Sequence, residues 1–223
     1  MSKGQVVGII CCILLSIVAA RFGWSSVNAV MVERKTSYWS VNPEKVTHRM
    51  ALKNSERARV ATQLQPLNAH HWFLRGKAAE WSAFTSKGDD VKQEWLKKAS
   101  QHYLKSYELR PTWPNTTLAL ADLSLTLPAS DFADFDSYFS QSFANGRYKR
   151  DVAWGLLAAG LKGWSRANGK TKKLVLNLIE DQLPGYNHRS KLMVLAEQKA
   201  QKKLVCTVWR VKFNGQKWEP CTN

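Results

Sequence analysis

The 223-residue chain carries 33 Lys and Arg against 17 Asp and Glu, a formal net charge of +16, with 44% hydrophobic residues and ten Trp. That apolar and aromatic content excludes a disordered chain, and the length allows one domain of about 190 residues after an N-terminal apolar segment. The charge is uneven, since residues 141–223 hold 16 basic and 5 acidic side chains while residues 25–140 hold 15 and 12.

The chain opens on an apolar run at residues 6–20 (VVGIICCILLSIVAA), which reaches nineteen residues when continued through Arg21 to Trp24. About 20 residues cross a bilayer. Arg21 can extend to the interface and Trp24 suits the headgroup zone. Residues 1–24 are therefore expected to form a retained transmembrane anchor, followed by a juxtamembrane linker over 25–41. A cleaved signal peptide is the alternative, because Val18-Ala19-Ala20 and Val27-Asn28-Ala29 offer small residues at cleavage positions. An Arg follows the first site at once, and the second lies far beyond the apolar run. Lys3 on one side and Arg21, Arg34 and Lys35 on the other leave orientation open.

From residue 42 to residue 203 the pattern is helical. Asn42-Pro43-Glu44 reads as a helix start, with a capping Asn, Pro at the first helical position and an acid in the first turn. That helix runs to Leu64 and stops at Gln65-Pro66. Asn68 can cap the next, which carries Trp72, Leu74, Ala78, Ala79 and Trp81. After a loop at 86–90, helices are expected over 91–109, 114–127, 131–144, 150–166, 170–183 and 188–203, separated by Gly or Pro. Short breaks of this kind imply antiparallel neighbours.

The last segment, LVCTVWRVKFNGQKWEPC, alternates around Asn214-Gly215 and predicts a β-hairpin over 204–223. Paired strands would bring Cys206 to Cys221 for a disulfide, which requires an oxidising compartment. Two unpaired thiols in a frayed tail are the alternative. Cys11 and Cys12 lie in the apolar run as packing residues, and two Cys fifteen apart lack the second ligand pair of a zinc site.

Catalytic patterns are thin. His48, His70, His71, His102 and His188 are scattered and read as surface or groove residues. Asp131, Asp134 and Asp136 contain the Asp-x-Asp pair that some nucleotide-sugar transferases use for a metal, but no α/β domain surrounds them. An acidic helix start explains them better. Gly169-Lys170-Thr171 ends like a phosphate loop, yet Trp164 stands where the motif needs Gly, so it reads as a helix–helix turn. No enzyme activity, cofactor or metal is expected.

The stretch Ala99-x3-Tyr103-x2-Ser106-x2-Leu109-x-Pro111 closely resembles the second helix of a tetratricopeptide repeat. Trp154-x2-Leu157-Ala158-x2-Leu161 resembles the first helix, as do Thr117-x2-Leu120-Ala121 and Trp72-x3-Gly76 in part. The small residues Gly76, Ala121 and Ala158 are 45 and 37 apart, against an expected period of about 34. The fold class read from the chain is thus all-α: a transmembrane helix, a tetratricopeptide-like α-solenoid over 42–203 and a short C-terminal hairpin. An unrelated helical bundle is the competing reading.

First helices line the concave groove of such repeats, so the resemblance makes Arg75, Lys77, Ala79, Thr117, Ser124 and Lys162 candidate partner contacts. Trp72, Trp81, Trp95, Trp154 and Trp164 are expected to pack between helices. With the segments QPLNAHHWFLRGKAAEW and LRPTWPNTTLALADL, the layout resembles the VpsP family of polysaccharide biosynthesis proteins. That resemblance implies a non-enzymatic scaffold in exopolysaccharide assembly or export, held in a bacterial inner membrane by a single span with its body in the periplasm. Its partners would be proteins of that assembly. The basic C-terminal third suits acidic polysaccharide, anionic lipid or an acidic protein face, or is simply a solvated surface. Nucleic acid is argued against by the export-type anchor. A glycan-binding protein or transferase accessory, and a general envelope scaffold for pili, secretion or cell division, are the alternatives.

Overall fold

The computed structural model describes residues 2–128 and 135–222. Among them the chain forms ten α-helices and two 3-10 turns, and no strand. It divides into two compact units, Met1–Pro111 and Thr112–Asn223, so a boundary falls inside the segment expected to be one repeat domain.

The first unit begins with α1, Lys3–Val41, a single helix of 39 residues and about 58 Å at 1.5 Å per residue. Its N-terminal part is long and apolar enough to span a membrane, and none of that apolar window is buried in the protein. The helix does not end where the apolar run does. The segment expected as a linker over 25–41 is helical, and Ser25, Asn28, Ala29, Val32, Thr36 and Trp39 are buried. Their spacing of three, four and seven residues makes one stripe, which packs on α2 (His48–Leu64) and α3 (Ala69–Thr85). Trp39 meets Trp81 edge-on, with ring centroids 5.6 Å apart.

Asn42-Pro43 opens only the 3-10 turn Pro43–Lys45. The longer helix starts at His48, where the Thr47 hydroxyl accepts from the Met50 N–H. Asn68 caps α3, its Oδ1 accepting from the N–H groups of His70 at 3.0 Å and His71 at 3.4 Å. Helix α4, Asp89–Leu109, packs along α3. The core of this unit is rich in small side chains, with Ala51, Ala58, Ala61, Ala78, Ala79, Ala83 and Ala99 buried beside Trp39, Leu74 and Tyr103. Small side chains let helix axes approach closely.

In the second unit α5 (Pro114–Ser124) packs on α6 (Phe135–Gly146) and α7 (Arg150–Lys162), and α7 packs on α8 (Gly169–Gln182). Phe135, Phe139, Leu156, Leu157, Leu161, Leu178, Ile179 and Leu183 form its core. Helix α9, Tyr186–Gln198, stops before Ala200, which adopts φ 55°.

The C-terminal hairpin is not formed. Residues Lys202–Lys212 make α10, which packs on α8 and α9 and buries Val205, Cys206, Val208 and Trp209. Those positions recur at three and four residues as well as alternating, and in the helix they form one stripe on the side of α10 that packs on α8 and α9. Asn214-Gly215 is still the turn, with φ 48° and 77°. The chain returns through Trp218 to the 3-10 turn Glu219–Cys221. Cys206 and Cys221 are joined by a disulfide with Cα atoms 5.3 Å apart.

Candidate anion-binding groove

Three helices of the first unit enclose a cavity of about 350 Å³. From α2 come Leu52, Ser55, Glu56 and Arg59, from α3 Arg75, and from α4 Trp95, Lys98 and His102. The α2 set recurs at three, four and seven residues and the α4 set at three and seven, so each is one helical face.

Arg75 is the centre of the arrangement. Its Nη1 donates to the Thr62 hydroxyl at 3.1 Å, and its guanidinium lies 5.3 Å from the centroid of Trp72. The Thr62 hydroxyl in turn donates to main-chain carbonyls of α2, Arg59 O at 2.9 Å among them. The other two cations of the groove each have a carboxylate. Arg59 binds Glu56 through Nε at 2.7 Å and Nη2 at 2.5 Å, while Lys98 lies 2.6 Å from Glu94 and 4.7 Å from the Trp95 ring centroid. Among the described residues no carboxylate pairs with Arg75.

Electrostatics follow from that imbalance. Burial, and then Arg59, push the Arg75 guanidinium below its ordinary range, with Glu56 opposing. The group stays charged, so part of the desolvation cost of a half-buried cation is left uncompensated. Burial, Arg75 and Lys98 lower the His102 imidazole to about 4. His102 is therefore neutral at pH 7, and its ring lies 5.7 Å from Trp72. The hydrogen bonds from Arg59 hold the Glu56 carboxyl below the usual carboxylate range. A small anion entering here would meet Arg75 with Trp95 and His102 beside it.

Of the side chains expected to touch a partner, only Arg75 lines this groove. Lys77 is exposed, with its Nζ 5.4 Å from the Phe73 ring centroid. Lys162 is exposed too and binds Asp122 at 2.9 Å and Thr126 at 3.2 Å, tying α7 to α5. Ala79, Thr117 and Ser124 are buried, so a partner's surface does not reach them. Thr117 and Ser124 donate to the carbonyls of Pro114 and Ala121, back onto their own helix. Trp72, Trp81, Trp95, Trp154 and Trp164 are half-buried, and Trp95 lines the groove.

Arg59, Lys98, Trp95 and His102 were not expected to share a site. The signal open to a sequence reader was the three-and-four spacing of polar residues on two neighbouring helices.

Elsewhere, the second unit holds a cation–aromatic surface on α9. The Arg189 guanidinium lies 4.9 Å from the Trp209 ring centroid and 5.7 Å from that of Trp218, and Lys191 Nζ lies 4.3 Å from that of Trp154. Asp131 and Asp134 fall outside the described residues. Asp136 Oδ1 accepts from the Asn168 N–H at 3.1 Å, at the start of α8. Gly169-Lys170-Thr171 opens that helix, with Asn168 Oδ1 accepting from the Thr171 N–H. Among the described residues no three His, Cys, Asp or Glu side chains gather as a metal site would require. Compared with protein-family models, curated proteins and solved structures, the chain has no match.

Proposed function

We propose that this protein is a membrane-anchored, non-catalytic scaffold whose Arg75 groove receives an acidic segment of a partner protein. The observation that carries the reading is the half-buried Arg75, which has no carboxylate among the described residues while its neighbours Arg59 and Lys98 are both paired. A partner carboxylate would supply the missing counter-charge. Arg presents a planar fork suited to a carboxylate, and an adjoining Trp95 adds apolar contact. The groove belongs to the same unit as the membrane-length helix α1, so a bound partner is retained beside the membrane.

The assembly served is one that makes or exports a bacterial surface polysaccharide. This part of the reading rests on the resemblance of two segments to the VpsP family, one of which contains Asn68, His71 and Arg75. A tetratricopeptide-like stacking of helix pairs suits such a role. Placement in the inner membrane with the body in the periplasm is supported by the Cys206–Cys221 disulfide, which persists in oxidising compartments.

The test is site-specific photocrosslinking from position 95 in intact cells, in wild type and Arg75→Glu. The expected result is one acidic protein of the polysaccharide apparatus, captured by wild type and lost in the variant. Undiminished capture by Arg75→Glu defeats the groove, and capture of secretion or division components alone defeats the polysaccharide assignment.

A second reading is favoured by the α9 surface, where Arg189 and Lys191 lie over Trp209 and Trp154. Cations beside aromatic rings suit an acidic polysaccharide. Binding of purified acidic exopolysaccharide that falls in Lys191→Ala but not in Arg75→Glu would favour it.

A further inference from the structure

A second cavity, of about 720 Å³, lies where α1 passes from its apolar part into the first unit, with Val18, Arg21, Phe22, Leu67, Leu109 and Arg110 in its lining. We infer that it holds one anionic phospholipid, the phosphate against Arg21 and Arg110 and the upper acyl chain against Val18, Phe22 and Leu67. This rests on α1 being a membrane span.

Three observations carry it. The first is position. Val18 lies near the end of the apolar run at 6–20, and Arg21 and Phe22 follow it inside the nineteen-residue stretch that ends at Trp24. This places Arg21 near headgroup level when that stretch crosses the hydrocarbon. The second is chemistry. The wall is apolar and exposed, with Leu67 at 83% and Phe22 at 54%, while two guanidinium groups share the same cavity. Exposed Leu and Phe are unfavourable in water and favourable against acyl chains, and Arg matches phosphate oxygens two at a time. A free phosphate would use only the cations and a peptide would not need a wall continuous with a membrane helix.

The third is rigidity. Arg21 Nε donates to Leu64 O at 2.9 Å, and Gln65 Nε2 donates to Phe22 O at 3.2 Å. Trp72 Nε1 donates to Pro66 O at 2.7 Å. These bonds fix the α2–α3 turn against α1 and hold the cavity open at one place. They also orient Arg21, whose Nη groups bond no other described residue.

Full-length protein in detergent, equilibrated with palmitoyl-oleoyl phosphatidylglycerol or with phosphatidylcholine of the same chains, tests this by native mass spectrometry. The expected result is one retained phosphatidylglycerol that added inorganic phosphate does not displace. Arg110→Gln, an exposed position, should weaken retention roughly fivefold, and Arg21→Gln by at least as much, since each basic residue near an anionic surface contributes about that factor. Arg75→Gln should leave retention unchanged. Equal retention of the two lipids, displacement by phosphate, or undiminished retention in both variants with an unaltered melting curve overturns the proposal. Flotation with phosphatidylglycerol vesicles separates the two failures. A chain that floats without Arg-dependent lipid retention overturns the site alone, and one that does not float overturns the span with it.

Discussion

Gly76 lies directly beneath the ring of Tyr103, so close that a Cβ built on the glycine would sit 2.4 Å from Tyr103 Cε1. Tyr103 is fully buried, and its hydroxyl donates to Glu80 at 2.5 Å. The ring cannot swing aside without losing that bond. Gly76→Ala therefore sets overpacking of about 1–3 kcal/mol against a helix-propensity gain of about 1 kcal/mol. Net destabilisation is expected in urea titrations. Tyr103→Phe, which keeps the ring and leaves Glu80 without that donor, should cost about 1–2 kcal/mol.

The upper part of α1 is latched to the body through His71. Ser25 Oγ donates to Ala61 O at 2.9 Å, and His71 Nδ1 lies 3.3 Å from both of them. Asn68 Nδ2 lies 3.3 Å from His71 Nε2, so the partners assign the tautomer with Nδ1 protonated. Replacing His71 with Ala leaves Asn68 short of a partner and opens a space in the core. A loss of about 2–4 kcal/mol is expected, with faster amide exchange over residues 25–39 as the local readout.

Stability should fall in mild acid. Burial lowers the pKa of His71, and burial with Arg75 and Lys98 lowers that of His102 to about 4. The unfolded chain takes up protons below about pH 6.5, whereas the folded chain does so only at lower pH. The unfolded state then binds more protons, and stability declines as pH falls. For His102 the window runs from about pH 6.5 to about 4. Urea midpoints should drop between pH 7 and pH 5, and His102→Gln should reduce the drop.

The disulfide closes a loop with a separation of 15 residues, for which chain entropy alone gives about 3 kcal/mol. It also holds Trp218 at 5.0 Å from Trp209. Cys206→Ser with Cys221→Ser should lower the melting temperature of the second unit and shift its Trp emission. Thiol titration of the wild type before reduction should find Cys206 and Cys221 unreactive.

How much of this was legible in the sequence depends on where the information sits. Asn68, Pro111 and Pro114 marked helix ends because a cap or a missing N–H acts within a few residues. The continuation of α1 past Trp24 is hard to read because its buried stripe mixes Val32 and Trp39 with Ser25, Asn28, Ala29 and Thr36, so little hydropathy marks it apart from a linker. The C-terminal segment failed differently. Val205, Val208 and Trp209 satisfy a strand alternation and a helical stripe at once, and only the packing surface of α8 and α9 decides between them. Arg75 was singled out on family likeness, but its setting depends on Arg59, Trp95 and His102 from two other helices. The spacing marks a face on α2 and a face on α4, but only tertiary packing brings those three together.

An unbroken α1 has a mechanical consequence. A flexible stalk would let the body swing freely about the apolar segment, whereas a helix buried along Ser25–Trp39 acts as a strut. On the proposed membrane span, the Arg75 recess would stand at one height above the lipid, within reach only of partners of matching elevation.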